Sequence, residues 1–201
     1  MIEPKKFTKK SRKKGLFKYS LFTLFSLVSC TIFSADYFWV GNSGNWNDNS
    51  HWSFSSGGNG GVGVPTVSDD VYFDQSSNVS SMEVLINDDF HCSSLTISSN
   101  NLVFKGSGNA FIKKSLNILT SIGVEYTGAF RFVGNTGSHQ IKLGLANFFQ
   151  DIIIEGEATW SLTSNALMSG NKISVNNGQF NSQGHIVACN QFLSSGPSLK
   201  T

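Results

Sequence analysis

The chain has little charge, little proline and little cysteine: Asp, Glu, Lys and Arg make up 14% of its 201 residues, alongside three prolines and three cysteines. Beyond residue 18 a single arginine remains, Arg131. The body therefore has no basic stripe for neutralising phosphates, and nucleic acid is excluded as an expected partner. The cysteines agree with an exported protein without demanding disulfides. Cys30 lies in the N-terminal segment, which leaves Cys92 and Cys189 to form one bridge or to serve as small buried apolar residues. Also missing is any window with a sustained 3.6-residue apolar period and helix caps. The class expected is all-β.

The N-terminal segment is unlike the rest. Eight of the fifteen basic residues fall within the first eighteen positions, and Tyr19 to Phe33 follow without a charge. That is the layout of a secretory signal peptide. The apolar run is shorter than the roughly 20 residues a spanning helix needs and is interrupted by Ser20, Thr23, Ser26, Ser29 and Thr31, so no membrane span is expected after processing. The leader is read as 1–35, cut near Ala35. Phe33 is bulky where an A-x-A-like site wants a small residue, and Leu27-Val28-Ser29-Cys30 offers a competing lipobox with lipidation at Cys30. Without residues 1–35 the body holds seven basic against twelve acidic residues, a net charge of −5. A secreted or outer-surface location follows as the expectation.

From about residue 71 onward, short apolar segments alternate with Gly, Asn and Ser turns: VYF, MEVLI, SLTI, NLVF, FRFV, DIIIE, TWSL, KISV. Several alternate with period two, as in Leu95 and Ile97 or Ile173 and Val175. Aligning Cys92 with Phe149 and Cys189 puts Leu95, Ile152 and Phe192 in register, with offsets that fit coils of about 19 or 20 residues. The fold expected is a right-handed parallel β-helix whose coils occupy 76–201, with Cys92, Phe149 and Cys189 in one inward column. Residues 36–75 precede it and carry Trp39, Trp46 and Trp52, large enough to cover the open end of a stack whose first coil would otherwise expose backbone edges and core.

The block DYFWVGNSGNWNDNSHWSFSSGGNGGVGVPTVSDDVYFD resembles the N-terminal region of large secreted, adhesin-like β-helix surface proteins of Bacteroidetes-type bacteria. The later stretch EATWSLTSNALMSGNKISVNNGQFNSQGHIVACNQFLSSG resembles their repeating coils. The resemblance implies a non-enzymatic binding or scaffold role against an extracellular surface or polysaccharide. Family members are usually longer and end in a sorting domain, whereas SGPSLKT falls in mid-pattern, so a truncated version is expected. The competing expectation is a fragment of a carbohydrate-active β-helix enzyme, a polysaccharide lyase or hydrolase.

Residues that carry chemistry are few. Gly58, Gly60 and Gly63 satisfy G-x-G-x-x-G, but no strand precedes them and no helix or lysine follows, so a phosphate cradle is not expected. Asp69, Asp70 and Asp74 form the densest carboxylate group, and calcium is the one cofactor such oxygens would suit. The alternative is that Asp69 closes the Pro65 turn while Asp70, Tyr72 and Asp74 face solvent. Glu155 and Glu157 flank Gly156 and read as a solvated turn rather than an acid–base pair. His51, His91, His139 and His185 lie 40 or more residues apart, without metal-ligand spacing. No catalytic residue is assigned.

Overall fold

The computed structural model describes residues 34–195, apart from 78–80, 101, 121–122, 145–149 and 168–170, within one compact unit. The expected leader, Cys30 and Phe149 lie outside the described residues. The chain opens with β1 (Asp36–Trp39), β2 (Gly44–Asn45), a 3₁₀ turn (Asn49–His51) and β3 (Trp52–Ser53). Three passes follow: β4 (Asp70–Phe73), β5 (Met82–Ile86) and β6 (Phe90–Cys92); β7 (Ser94–Ile97), β8 (Leu102–Gly106) and β9 (Ala110–Ile112); β10 (Leu116–Ile118), β11 (Gly123–Tyr126) and β12 (Phe130–Phe132). Further coils contribute β13 (Ser138–Lys142) and β14 (Ile152–Ile154), then β15 (Thr159–Leu162), β16 (Ala166–Leu167) and β17 (Lys172–Val175), and finally β18 (Gln179–Asn181), β19 (Val187–Ala188) and β20 (Gln191–Ser194).

Each pass visits three faces in turn, and equivalent strands of successive coils pair in parallel. The first face runs β18-β15-β13-β10-β7-β4-β1-β3, the second β11-β8-β5-β2 and the third β20-β17-β14-β12-β9-β6, with β16 and β19 forming a short separate pair. This is a parallel β-helix. Strands of two to five residues suffice because every coil borrows its hydrogen bonds from the coils above and below.

Alternation decides which side chains enter. On the first face, Val71, Leu95, Leu116, Ile141 and Leu162 stack in one fully buried column. On the third face, Cys92, Ile112, Phe132, Ile154 and Val175 form another. Each large side chain so buried contributes about 1.5–3 kcal/mol. The second column corrects the expected one: Cys92 is inward, but Cys189 sits half-buried between β19 and β20 and has no place in it. Ile152 and Phe192 do share a column, through Ile173, whereas Leu95 belongs to a different face. Both thiols are free.

Two devices hold the register. Asp89 Oδ1 accepts the backbone N–H of Asn109 at 2.6 Å, and Asn109 Oδ1 accepts that of Ala129 at 3.2 Å, so one corner is clamped across three successive coils. At the corner between the third and first faces, Gly134, Gly156 and Gly178 stack so closely that a Cβ on Gly156 would lie 2.0 Å from the Gly134 carbonyl oxygen. Only glycine lets the backbones approach that far.

The tryptophan block closes the first end of the stack. One edge of β1 pairs in parallel with β4, and its other edge takes β3 in antiparallel, so an antiparallel strand ends the parallel face. Trp39, Trp46 and Trp52 are fully buried. Trp46 stacks on Phe90 with centroids 3.8 Å apart, Trp39 and Trp52 both pack on Phe73, and Trp52 Nε1 donates to the Trp46 carbonyl at 2.8 Å. His51 lies parallel to Trp39 at 4.5 Å and fills the space that Gly44 leaves, where a Cβ would meet its ring at 2.1 Å.

Candidate functional site

Of the acidic residues singled out from the sequence, Asp69 and Asp74 are spent on local structure, whereas Asp70, expected to face solvent, has its Oδ1 buried without a hydrogen-bond partner among the described residues. Asp69 is buried, and its carboxylate accepts the N–H of Ala35 at 3.0 Å on Oδ1, with the N–H and hydroxyl of Thr66 at 2.8 and 2.7 Å on Oδ2. Asp74 accepts the N–H of Ser76 at 2.8 Å and closes the turn after β4. Asp70 opens β4 while Asp74 follows it, so the strand separates them by about 13 Å at its ordinary rise. Among the described residues no group of three or more His, Cys, Asp or Glu could hold a metal ion. The glycine loop 57–63 packs on the cap instead: a Cβ on Gly60 would lie 1.7 Å from the Ser50 carbonyl oxygen.

Several charged side chains on the outer faces pair between coils. Lys105 bridges Glu83 at 2.7 Å and Glu125 at 3.3 Å, and the Glu83 hydrogen bond foremost raises the lysine's affinity for its proton. Arg131 pairs with Glu155 and lies over the Phe111 ring, on whose other side in the ladder His91 stacks at 4.7 Å. Lys172 pairs with Asp151 at 3.4 Å. Glu155 is therefore engaged and Glu157 is exposed, so the Glu-Gly-Glu turn does not set two free carboxylates across a cavity. The sequence reading missed these pairs. Their signal is opposite charge recurring near the coil period, as in Glu83, Lys105 and Glu125.

Among the described residues, two recesses of about 460 Å³ are the ones bordered by chemistry-bearing side chains of the cap and the first face. One lies beside the cap, walled by Trp46, Val64, Pro65, Val67 and Phe90, with Asn47, Thr66, Asp89 and His91 as its polar part. The backbone N–H of Asn109 holds the Asp89 carboxyl below its usual range. The other is a groove on the first face over β13, β15 and the turn after β18. It is lined by Ser138, Gln140, Ser161 and Thr163, by Gln183, and by His139 and His185, which the fold brings together from 46 residues apart. His139 Nε2 lies 2.9 Å from the Thr136 carbonyl oxygen, and its ring packs toward Trp160. Gln183 has a φ of +52°, a left-handed conformation uncommon for a residue other than glycine, held by its N–H bond to Asn181 Oδ1 at 2.9 Å.

Every polar group lining this groove is a hydroxyl, an amide or an imidazole. Such a set donates and accepts hydrogen bonds without fixed charge, which suits polyhydroxylated ligands better than phosphates or ammonium groups. The remaining histidines are separated from it: His51 belongs to the cap and His91 to the outer ladder of the third face. Among the described residues no helix is long and apolar enough to cross a membrane. No protein-family model matches the chain, and no curated protein or solved structure is significantly similar to it.

Proposed function

We propose that the protein is a secreted or cell-surface, adhesin-like binding and scaffold protein that engages neutral extracellular polysaccharide through the first-face groove. The observation that carries this reading is the division of labour on the surface. Lys105, Arg131 and Lys172 pair with carboxylates along the ladders, and the groove itself is lined by Ser138, Gln140, Ser161, Thr163 and Gln183 beside two histidines, with no acidic residue, lysine or arginine among the described residues of its lining. Single contacts of this kind are weak, about 0.5–1.5 kcal/mol each. Binding therefore gains from several sugar units meeting several coils at once.

Affinity electrophoresis through gels containing a neutral glucan or galactomannan, with polygalacturonate as the acidic comparison, tests this. Retardation is expected in a neutral gel and should persist in high salt, because no ion pair forms. The double variant Gln140→Ala/Ser161→Ala should weaken retention about fivefold or more, the loss of two hydrogen bonds. Retention only on polygalacturonate, abolished by salt, would overturn the proposal, and so would a double variant that binds like the parent.

A further inference from the structure

Ala35 is held in place just before β1 begins. Ala35 is half-buried against the core, its N–H donates to Asp69 Oδ1 at 3.0 Å, and its carbonyl accepts the N–H of Asp70 at 2.9 Å. Asp69 is 5% exposed, and among the described residues none of the ion pairs includes it. A buried carboxylate without a counter-charge is costly even when hydrogen-bonded. Ser34, immediately before Ala35, is exposed and small, as the residue before a leader-peptidase cut should be, while Ile32 two positions earlier is bulky, as Phe33 is for a cut after Ala35.

We infer that export processing hydrolyses the Ser34–Ala35 bond and that the α-ammonium thereby created on Ala35 is the missing counter-ion of Asp69. Water adds across the peptide bond under a leader peptidase: the Ser34 carbonyl gains the hydroxyl, the Ala35 nitrogen gains the proton, and at neutral pH it takes up a second. The new cation sits where the amide already meets Oδ1. The inference rests on the exported role proposed above. It moves the leader boundary by one residue relative to a cut after Ala35. That later cut would strip Asp69 Oδ1 of its partner and leave the Asp70 N–H without its acceptor. A chain starting at Cys30 would keep an amide at Ala35 and a carboxylate with no cation.

Other charges face this point. Lys113 and Lys114 share a recess with Ser34, Ser68 and Ser93 and oppose a further cation, while Asp36 and Asp70 adjoin it along β1 and β4. The phenol of Tyr37, raised first by burial and then by Asp69, stays neutral. Among the described residues, Asp69 is the carboxylate in hydrogen-bond contact with the Ala35 nitrogen. The pKa of the α-amine should rise above the ordinary ~7.7–8.0 by at least about one unit, the usual response to an opposite charge within contact distance. The sign follows: stabilisation is complete below about pH 7.7 and disappears as pH climbs through the raised folded value.

The test is to export the full chain from a bacterial host and determine its N-terminus by intact mass and terminal peptide sequencing. Ala35 is expected. An exported chain beginning at Asp36, or at a lipidated Cys30, overturns this inference alone; a chain retained inside with residues 1–34 attached overturns the exported role as well. On the exported protein, the pH dependence of reductive methylation at the α-amine gives its pKa. A raised value that returns to the ordinary range in Asp69→Asn supports the pairing. An ordinary value in the unmutated chain, which needs no variant to fold, refutes it.

Discussion

The two described ends of the stack are built differently. At the first, β3 turns back in antiparallel across β1, and Trp39, Trp46 and Trp52 are fully buried over Phe73 and Phe90. At the other described end, β20 pairs only through β17, all four of its residues are exposed, and Phe192 is 43% accessible although it stands in the same column as the fully buried Ile152 and Ile173. The same inward position is thus worth very different amounts at the two ends. A column residue is stabilised by the neighbour on each side, so a coil's strength depends on what covers it more than on its own sequence.

The largest expression of this contrast is chemical. Cys92 lies under the cap, fully buried, and burial pushes its thiol well above the ordinary range. Cys189 is half-buried beside β20. The thiolate is the reactive species, so alkylation of Cys92 must await opening of the closed end. In native buffer iodoacetamide should modify Cys189 first, with Cys92 slower by about a thousandfold or more. Equal rates, read by peptide mass after timed quenching, would show that both ends open alike.

Next in size is Trp46→Ala. Trp46 Nε1 makes no hydrogen bond, so truncation tests packing alone, and the Trp46 carbonyl that receives Trp52 Nε1 is retained. A loss of about 3–5 kcal/mol is expected, seen as one cooperative shift in urea or thermal unfolding. Unchanged stability would break the description of these indoles as the cover of the first coil, and a ligand-binding defect in its place would reassign them to recognition.

The sequence made the class and the coil principle legible, because alternation follows directly from residue type, but not where the coils begin: β4 (Asp70–Phe73), placed ahead of them, already pairs in parallel with β7 as a strand of the first face. Register was less legible. Along the third face the column from Cys92 steps to Ile112 and Phe132 in intervals of twenty, then to Ile154 in twenty-two. Along the first face, Leu95, Leu116 and Ile141 are spaced by twenty-one and twenty-five. Coils of unequal length defeat an alignment built on a fixed period, and the match of Cys92 with Cys189 crossed from one position of the triangle to another. It held between Ile152 and Phe192, where consecutive coils have nearly equal lengths. The groove escaped notice for a related reason: Gln140, Ser161 and Gln183 are ordinary turn and strand residues until coil stacking aligns them.

The smallest effect belongs at the far end. Phe192 sits on Ile173 and beside Phe180, with ring centroids 6.1 Å apart, so its side chain has an apolar neighbour on one side and water on the other. Removing it in Phe192→Ala forfeits partial burial and leaves a site that solvent already reaches, so no enclosed cavity forms. About 1 kcal/mol is expected, a few-fold less than Trp46→Ala, although both are aromatic residues facing the helix interior. Measuring both variants by the same urea titration makes the comparison direct. If Phe192→Ala costs as much as Trp46→Ala, the last coil is as firmly held as the first, and the closing strand and three tryptophans would not account for the difference between the ends.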